Sequence, residues 1–266
     1  MSEQPAPAGR SVPEVLASIP VLSGPKVLHA LAGGPLSDSW LIEDAGRRLV
    51  LRIDQPLARA LSLNRLAELA VLDTVAPAGL GPAAVWAQPS AGLLLTSYIA
   101  GDTWRLAHVR QPACLLQLAN TLRSVYALPT AGLVAFDPGL AACNYARVVG
   151  TTAARQLAEQ ASRLGRQLFA QQHDPVLCHN DLAHTNLVGF RPVRLIDWEY
   201  AAIGDPLFDL AVLVRYHTLA ENVAMDFVRA TLGTLNRQTQ ERFSAQCELY
   251  DLLAGLWYRA TRRTGG

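Results

Sequence analysis

The chain has 266 residues, half of them apolar and 17% charged, against roughly 25% charged in an ordinary soluble domain, so it can bury a large core as one large domain or two modest ones and is too short for a multi-domain array. Its 23 Lys and Arg balance 22 Asp and Glu for a net charge of +1, which leaves no basic field to hold nucleic acid. Lys26 is the one lysine, so 22 of the 23 basic residues are arginine, and any step that needs a lysine must use Lys26 or do without.

The first 13 residues are rich in Pro, Ala and Ser and are expected to be loose. They lack the basic start and apolar core of a leader, and no apolar run in the chain approaches the roughly 18 residues of a membrane span. Short β-rich runs follow, KVLHALA, DSWLIED and RLVLRID, each bounded by Gly, Pro or Asp, and Ala45-Gly46-Arg47 reads as a hairpin turn between the last two. A helix is predicted over 58–75, ended by the cluster Pro77, Gly79, Gly81 and Pro82. Two more strands, AAVWAQ and GLLLTSYI, complete a mostly antiparallel sheet with one helix.

From Gly101 the chain turns to Leu, Ala, Arg and Gln at helical spacing, with helices predicted at 112–127, 153–172, 206–219, 222–233 and 238–262. The four cysteines, Cys114, Cys143, Cys178 and Cys247, form no CxxC pair, which argues against zinc or a disulfide framework and for buried thiols in a reducing compartment. The expectation is a cytoplasmic α+β protein of two lobes that binds neither membrane nor nucleic acid. Its small antiparallel sheet lobe covers residues 1–100 and its larger, mainly helical lobe 101–266. A cleft between lobes is a common place for a ligand.

The exception to the helical pattern is Cys178 to Trp198, which holds His179, Asp181, Asn186 and Asp197. A hairpin turning near Arg191-Pro192 would set Asn186 directly across from Asp197. Opposed residues have Cβ atoms about 4.5–5.5 Å apart, a spacing that suits an amide oxygen and a carboxylate gripping one hard cation. Asp181, in the loop that feeds the hairpin, would stay free near the metal to accept a proton or orient a nucleophile.

The run His179-x-Asp181-x4-Asn186, then Asp197-Trp198-Glu199, resembles the catalytic and metal-binding motifs of the aminoglycoside phosphotransferase and choline kinase superfamily, which shares the bilobal fold of protein kinases. Gly204-Asp205-Pro206-Leu207-Phe208-Asp209 strengthens the likeness, and the wording LIDWEYA is similar to that of bacterial thiamine kinases and choline kinases. The resemblance extends over residues 25–215. It implies ATP and Mg²⁺ as cofactors and a small hydroxylated acceptor, with Asp181 taking the acceptor proton and His179 bracing the loop. Asn186 and Asp197 would hold Mg²⁺, Glu199 would reach a second ion, and Asp209 would fix the loop.

In the first lobe, the segment from Leu31 to Trp40 resembles the loop that covers the nucleotide, so Gly33, Gly34, Ser37 and Ser39 are expected near phosphate. Ser37 stands where many relatives carry Asn, and Pro35 stiffens the tip. The strand Leu49 to Ile53 matches the one whose basic residue holds the α- and β-phosphates in protein kinases. Here that residue is Arg52, as in choline kinases, with Glu68 in the following helix as its carboxylate partner. The segment Thr96 to Ile99, with Thr96 and Tyr98, matches the hinge that binds adenine.

Tyr250, Trp257 and Tyr258 share one face of the last predicted helix. Such a face packs a core or, with Trp104, builds an aromatic wall for a cationic substrate. Asp251 and Glu248 are candidate countercharges. A thiamine-like acceptor is expected first, a choline-like one second and an aminoglycoside or aminosugar third. A nucleotide-binding protein without transfer activity, and a hydrolase with His179 and His184 on a metal, are the competing readings.

Overall fold

A computed structural model describes residues 11–171 and 174–262. The expected looseness of the first 13 residues falls mostly on positions outside the described range, as does residue 172 at the end of one predicted helix. Val12 and Pro13 already belong to α1 (Val12–Ala17), whose Val12, Val15 and Leu16 are buried.

A five-stranded antiparallel sheet follows, in the order β1-β2-β3-β5-β4, from β1 (Lys26–Ala30), β2 (Ser37–Asp44), β3 (Arg47–Asp54), β4 (Ala84–Gln88) and β5 (Leu93–Ser97). Strands β2 and β3 pair in unbroken register across Ala45-Gly46. Both turn residues have positive φ, 49° and 75°, which is the backbone a two-residue type I′ hairpin requires. Alternation then sorts the side chains. Trp40, Leu51 and Leu95 share one row of the register, and they pack with α1 into an apolar cluster on one face of the sheet. The adjacent row, Ser39, Arg52 and Leu94, faces the other way, toward the cleft.

The single helix expected at 58–75 is two, α2 (Pro56–Ala60) and α3 (Arg65–Val75). Ser62 adopts a left-handed φ of 61°, and Asn64 starts the second helix by accepting from Ala67 N–H at 3.0 Å. An N-cap asparagine is a strong start signal. Residues 98–105 link β5 to α4 (Leu106–Val109), and α5 (Pro112–Tyr126), α6 (Pro138–Val149) and α7 (Thr152–Ala170) follow. Helix α6 is absent from the sequence expectation, although Asp137 caps it and Gly150 ends it with φ 71°.

Two short ribbons carry the loaded segment. Strand β6 (Val176–Cys178) pairs with β9 (Ala202–Gly204), and β7 (Leu187–Val188) pairs with β8 (Arg194–Leu195). Helices α8 (Pro206–Tyr216), α9 (Glu221–Leu232) and α10 (Arg237–Arg262) complete the chain, and α10 packs on α6, α7 and α8. One apolar cluster runs from Leu57, Leu72 and Leu94 through the helices of the second lobe, so α2 and α3 pack into the second lobe as well as onto the sheet. Among the described residues no helix is long and apolar enough to cross a membrane.

Candidate active site

The β6–β9 ribbon delivers the chain into a tight loop at His179. That side chain is fully buried; its Nε2 lies 3.0 Å from the Ile196 carbonyl and its Nδ1 accepts from Asp181 N–H at 3.3 Å. A carbonyl only accepts, so the ring is the neutral tautomer with the proton on Nε2. Burial pushes its pKa down to about 4. His179 therefore braces the loop and lines no part of the cleft. Asp209, in the first turn of α8, accepts from the N–H groups of His179 at 2.9 Å and Asn180 at 2.6 Å, and from Tyr126 Oη at 3.3 Å. Asn180 takes a left-handed φ of 63°, a conformation asparagine tolerates. The turn presents Asp181 to the cleft.

Asn186 Nδ2 donates to Asp181 Oδ2 at 2.8 Å and to the Asp181 carbonyl at 3.0 Å. Its amide oxygen is left available. The register expected for the following hairpin needs correction: Leu187 pairs with Leu195 and Val188 with Arg194, so Asn186 stands across from Ile196, whose N–H it accepts at 3.0 Å. The turn from Gly189 to Val193 has an odd number of residues, which shifts the pairing by one. Asp197 regains the cleft because its own φ is positive, 63°, and both Asn186 and Asp197 line the same cavity as Asp181.

That cavity, about 790 Å³, is also lined by Gly33, Gly34, Ser37, Ser39, Arg52 and Glu68, and by Thr96 and Tyr98. These eight residues of the first lobe thus share one cavity with Asp181, Asn186 and Asp197. A Cβ on Gly33 would lie 3.1 Å from the Ser37 carbonyl, a close approach that favours glycine. Arg52 forms a fork with Glu68, Nη1 to Oε1 at 2.6 Å and Nη2 to Oε2 at 2.5 Å. It also lies 3.6 Å from Asp197.

Sequence reasoning missed Arg65, which starts α3 behind this pair. Its Nε and Nη2 bind Asp54 at 2.8 and 2.7 Å, and its Nη1 binds Glu68 at 3.0 Å and Glu199 at 2.8 Å. Glu199 is accordingly ion-paired. Gly81 was read only as a helix stop, yet a Cβ there would sit 2.6 Å from Val75 and 2.7 Å from Trp198 Nε1, so glycine is what lets Trp198 pack against His179.

The acidic floor fits a divalent cation by the chemistry of its donors. Asn186 Oδ1 and the carboxylates of Asp197 and Glu199 are hard oxygen donors, and loss of solvent raises Asp181 and Glu199 each to about 7, reinforced by Glu199 and Asp197 respectively. Two arginines face Asp54, Glu68, Asp197 and Glu199 here, so the site carries excess negative charge. Among the described residues no group of three or more His, Cys, Asp or Glu side chains is set to hold a metal. A zinc hydrolase built on His179 and His184 is not supported, because both His179 nitrogens are used inside the loop and His184 lies against His217.

The far end of the cleft is aromatic. Tyr250, Trp257 and Tyr258 of α10 all line it, and Trp257 Nε1 donates to Tyr200 Oη at 2.8 Å. Phe136, Tyr145, Tyr200, Phe208 and Tyr216 extend the wall. These five escaped sequence reasoning, although Tyr200 stands inside LIDWEYA itself. Trp104 does not belong to the wall: it is buried, donates to the Gly189 carbonyl at 2.7 Å and stacks on Phe190. The connector pairs there with β7, and the indole locks that junction. Asp251 is no countercharge either, since it is held by Arg215 at 2.9 and 2.6 Å outside the cleft, and Glu248 is exposed outside the cleft. Among the described lining residues Arg52 is the one basic side chain, against Glu68, Asp181, Asp197 and Glu199.

The sequence profile of the phosphotransferase enzyme family (APH) matches residues 27–244. Protein LicA of Haemophilus influenzae is 29% identical over 209 residues, which cover 75% of this chain and 60% of that protein. The chain thus spans about 60% of the length of that relative. The choline kinase LicA from Streptococcus pneumoniae superposes with a TM-score of 0.72 at 19% identity, over 95% of this chain and 90% of that one. A LicA structure in complex with AMP gives 0.75 at 20% identity, over 95% and 89%. These likenesses establish the two-lobed protein-kinase-like fold.

Proposed function

The chain belongs to the phosphotransferase enzyme family, and from that premise we propose that it is an ATP-dependent kinase of a small cationic alcohol, choline-like before thiamine-like. Residues 1–100 act as the nucleotide lobe and 101–266 as the catalytic and acceptor lobe. One observation carries the reading: Asp181, Asn186 and Asp197 face the Arg52–Glu68 fork across a single cleft whose other end is aromatic.

The roles follow from the contacts. Asn186 holds one oxygen of Asp181, which leaves the other to accept the proton of the acceptor hydroxyl. A carboxylate raised to about 7 by burial suits a base working near neutral pH. Each terminal nitrogen of Arg52 spends one N–H on Glu68 and keeps one for the nucleotide phosphates. Asn186 and Asp197, with Glu199 nearby, would hold a Mg²⁺ ion, which would supply charge neutralisation at the nucleotide phosphates. The aromatic faces favour a quaternary nitrogen, and the likeness to the streptococcal choline kinase supports choline over thiamine. ATP as donor and cysteines that are all free among the described residues support a cytoplasmic site of action.

The test is a panel of choline, ethanolamine, thiamine, aminosugars and aminoglycosides with MgATP, read as acceptor-dependent ADP release. Choline should give the highest kcat/KM, and Asp181→Asn should lower kcat by about 10²–10⁴-fold while ADP still binds. Preference for an aminoglycoside would overturn the choline assignment, and no turnover across the panel would overturn the kinase.

A further inference from the structure

Behind the residues that face the nucleotide lies an arginine with no role in the reading above. Arg65 is 9% exposed at its side chain, and Glu199, which it binds, is 7% exposed. A buried guanidinium is expensive unless its donors are satisfied. Four contacts do so here: two to Asp54 at the end of β3, one to Glu68 on α3, and one to Glu199, two residues beyond Asp197. The first two carboxylates belong to the sheet side of the cleft and the third to the metal-facing loop of the helical side. Among the described residues, Arg65–Glu199 is the ion pair with hydrogen-bond geometry that spans the two sides; Arg52 approaches Asp197 only to 3.6 Å. Other polar links between the sides, such as Arg147 to the Ala60 carbonyl and Arg194 to the Ala100 carbonyl, tie charge to backbone away from the phosphate end.

We propose that Arg65 is a positioning residue for phosphoryl transfer, which joins the Arg52–Glu68 fork to Glu199 and so sets the separation of the two sides of the cleft. This rests on the kinase reading. The logic is mechanical: Glu68 accepts from both arginines, so a displacement of Glu199 is felt at Arg52 through Arg65 and Glu68. With the link cut, the observed arrangement of the cleft loses a buried charge pair, and its population falls. Apparent nucleotide affinity then drops by the fraction of molecules still competent to bind.

The experiment compares the full chain with Arg65→Gln, Arg65→Lys, Glu199→Gln and the double variant Arg65→Gln/Glu199→Gln. ADP affinity is read by calorimetry without and with Mg²⁺, and thermal stability is read in parallel. Arg65→Gln should weaken ADP binding about tenfold without Mg²⁺, in the usual range of coupling between sites. Arg65→Lys keeps the charge but cannot span three carboxylates, so it should restore stability more than affinity. Adding Glu199→Gln to Arg65→Gln should cost less than about threefold further, because the partner is already gone.

An Arg65→Gln protein that loses stability yet binds ADP as the parent does would overturn the proposal, as would fully additive effects in the double variant. If Arg65→Gln does not fold, unchanged ADP affinity in Arg65→Lys overturns it equally. A parent chain that binds ADP but phosphorylates no acceptor counts against the kinase reading alone and leaves the coupling between Arg65 and Glu199 measurable. A parent that binds no ADP overturns both.

Discussion

Asp209→Asn separates support of the catalytic loop from stability of the fold. The carboxylate is fully buried and accepts three hydrogen bonds, from the N–H groups of His179 and Asn180 and from Tyr126. Burial raises its pKa to about 6 against the pull of those same bonds, so keeping it ionised carries a desolvation cost that a neutral amide escapes. That relief offsets much of the weakening of the bonds that remain. The asparagine has one acceptor oxygen for two backbone donors that reach opposite oxygens of the aspartate, so one buried N–H is left without a partner. The expected loss is about 1–3 kcal/mol, the cost of one unsatisfied buried donor. The effect on rate should be of comparable size, because Asp181 lies directly after the unpinned Asn180, and a shift of about 1 Å can cost about 10²-fold, or roughly 2.7 kcal/mol of barrier. Urea unfolding gives the first quantity and steady-state kcat the second. In the proposed reading Arg52 would hold the nucleotide from the opposite side, so KM for ATP should change less than threefold. Full kcat in a protein destabilised as expected would refute the claim that Asp209 sets the position of Asp181.

Arg52→Lys replaces a two-pronged donor by a point charge. It breaks one of the two bonds at 2.6 and 2.5 Å to Glu68 while Arg65 still neutralises that carboxylate, so KM for ATP should rise about 10-fold or more, one charge-assisted bond, with the fold retained. Unchanged ATP kinetics would make Arg52 a strand residue without a phosphate role. His179 predicts an acid limit: its folded pKa of about 4 lies below the ordinary value near 6.5, so the unfolded chain binds the extra proton and stability is lost as pH falls from 6.5 toward 4. Between pH 7 and 5 the contribution is about 2 kcal/mol. Urea midpoints at the two pH values should therefore converge in His179→Gln relative to the parent, and an equal pH dependence in both proteins would refute it.

The parts of the site that were legible in the sequence are those whose spacing is local. Asp181 and Asn186 lie five residues apart within one loop, and Asp197-Trp198-Glu199 is contiguous, so motif order alone brings them to one place. Strand alternation does the same for Ser39 and Arg52, because the type I′ turn at Ala45-Gly46 fixes their register without help from the rest of the chain. The hairpin after Asn186 was misread by one residue for the same kind of reason. Its register depends on a five-residue turn at Gly189–Val193 that is held from outside, by Trp104 on the Gly189 carbonyl and by Gly189 N–H on Asp102.

Arg65 shows where local reading ends. In sequence it is one of 22 arginines at the start of a helix, three residues before Glu68, where an ordinary surface i,i+3 pair would be the economical interpretation and worth a few tenths of a kcal/mol. Its value comes from Asp54, eleven residues back, and Glu199, 134 residues on, and no periodicity encodes that meeting. The same holds for Trp104, which its place just after the connector suggested for the wall and packing placed in the core, and for Tyr200, which gains its position in the wall from a bond with Trp257 across 57 residues. The arginine excess thus has a structural meaning at two positions. Arg52 and Arg65 satisfy five carboxylate contacts within hydrogen-bond distance of Glu68 and Asp54, with a sixth to Glu199, and a lysine at either place, with one flexible ammonium, could not hold both sides of that lattice at once.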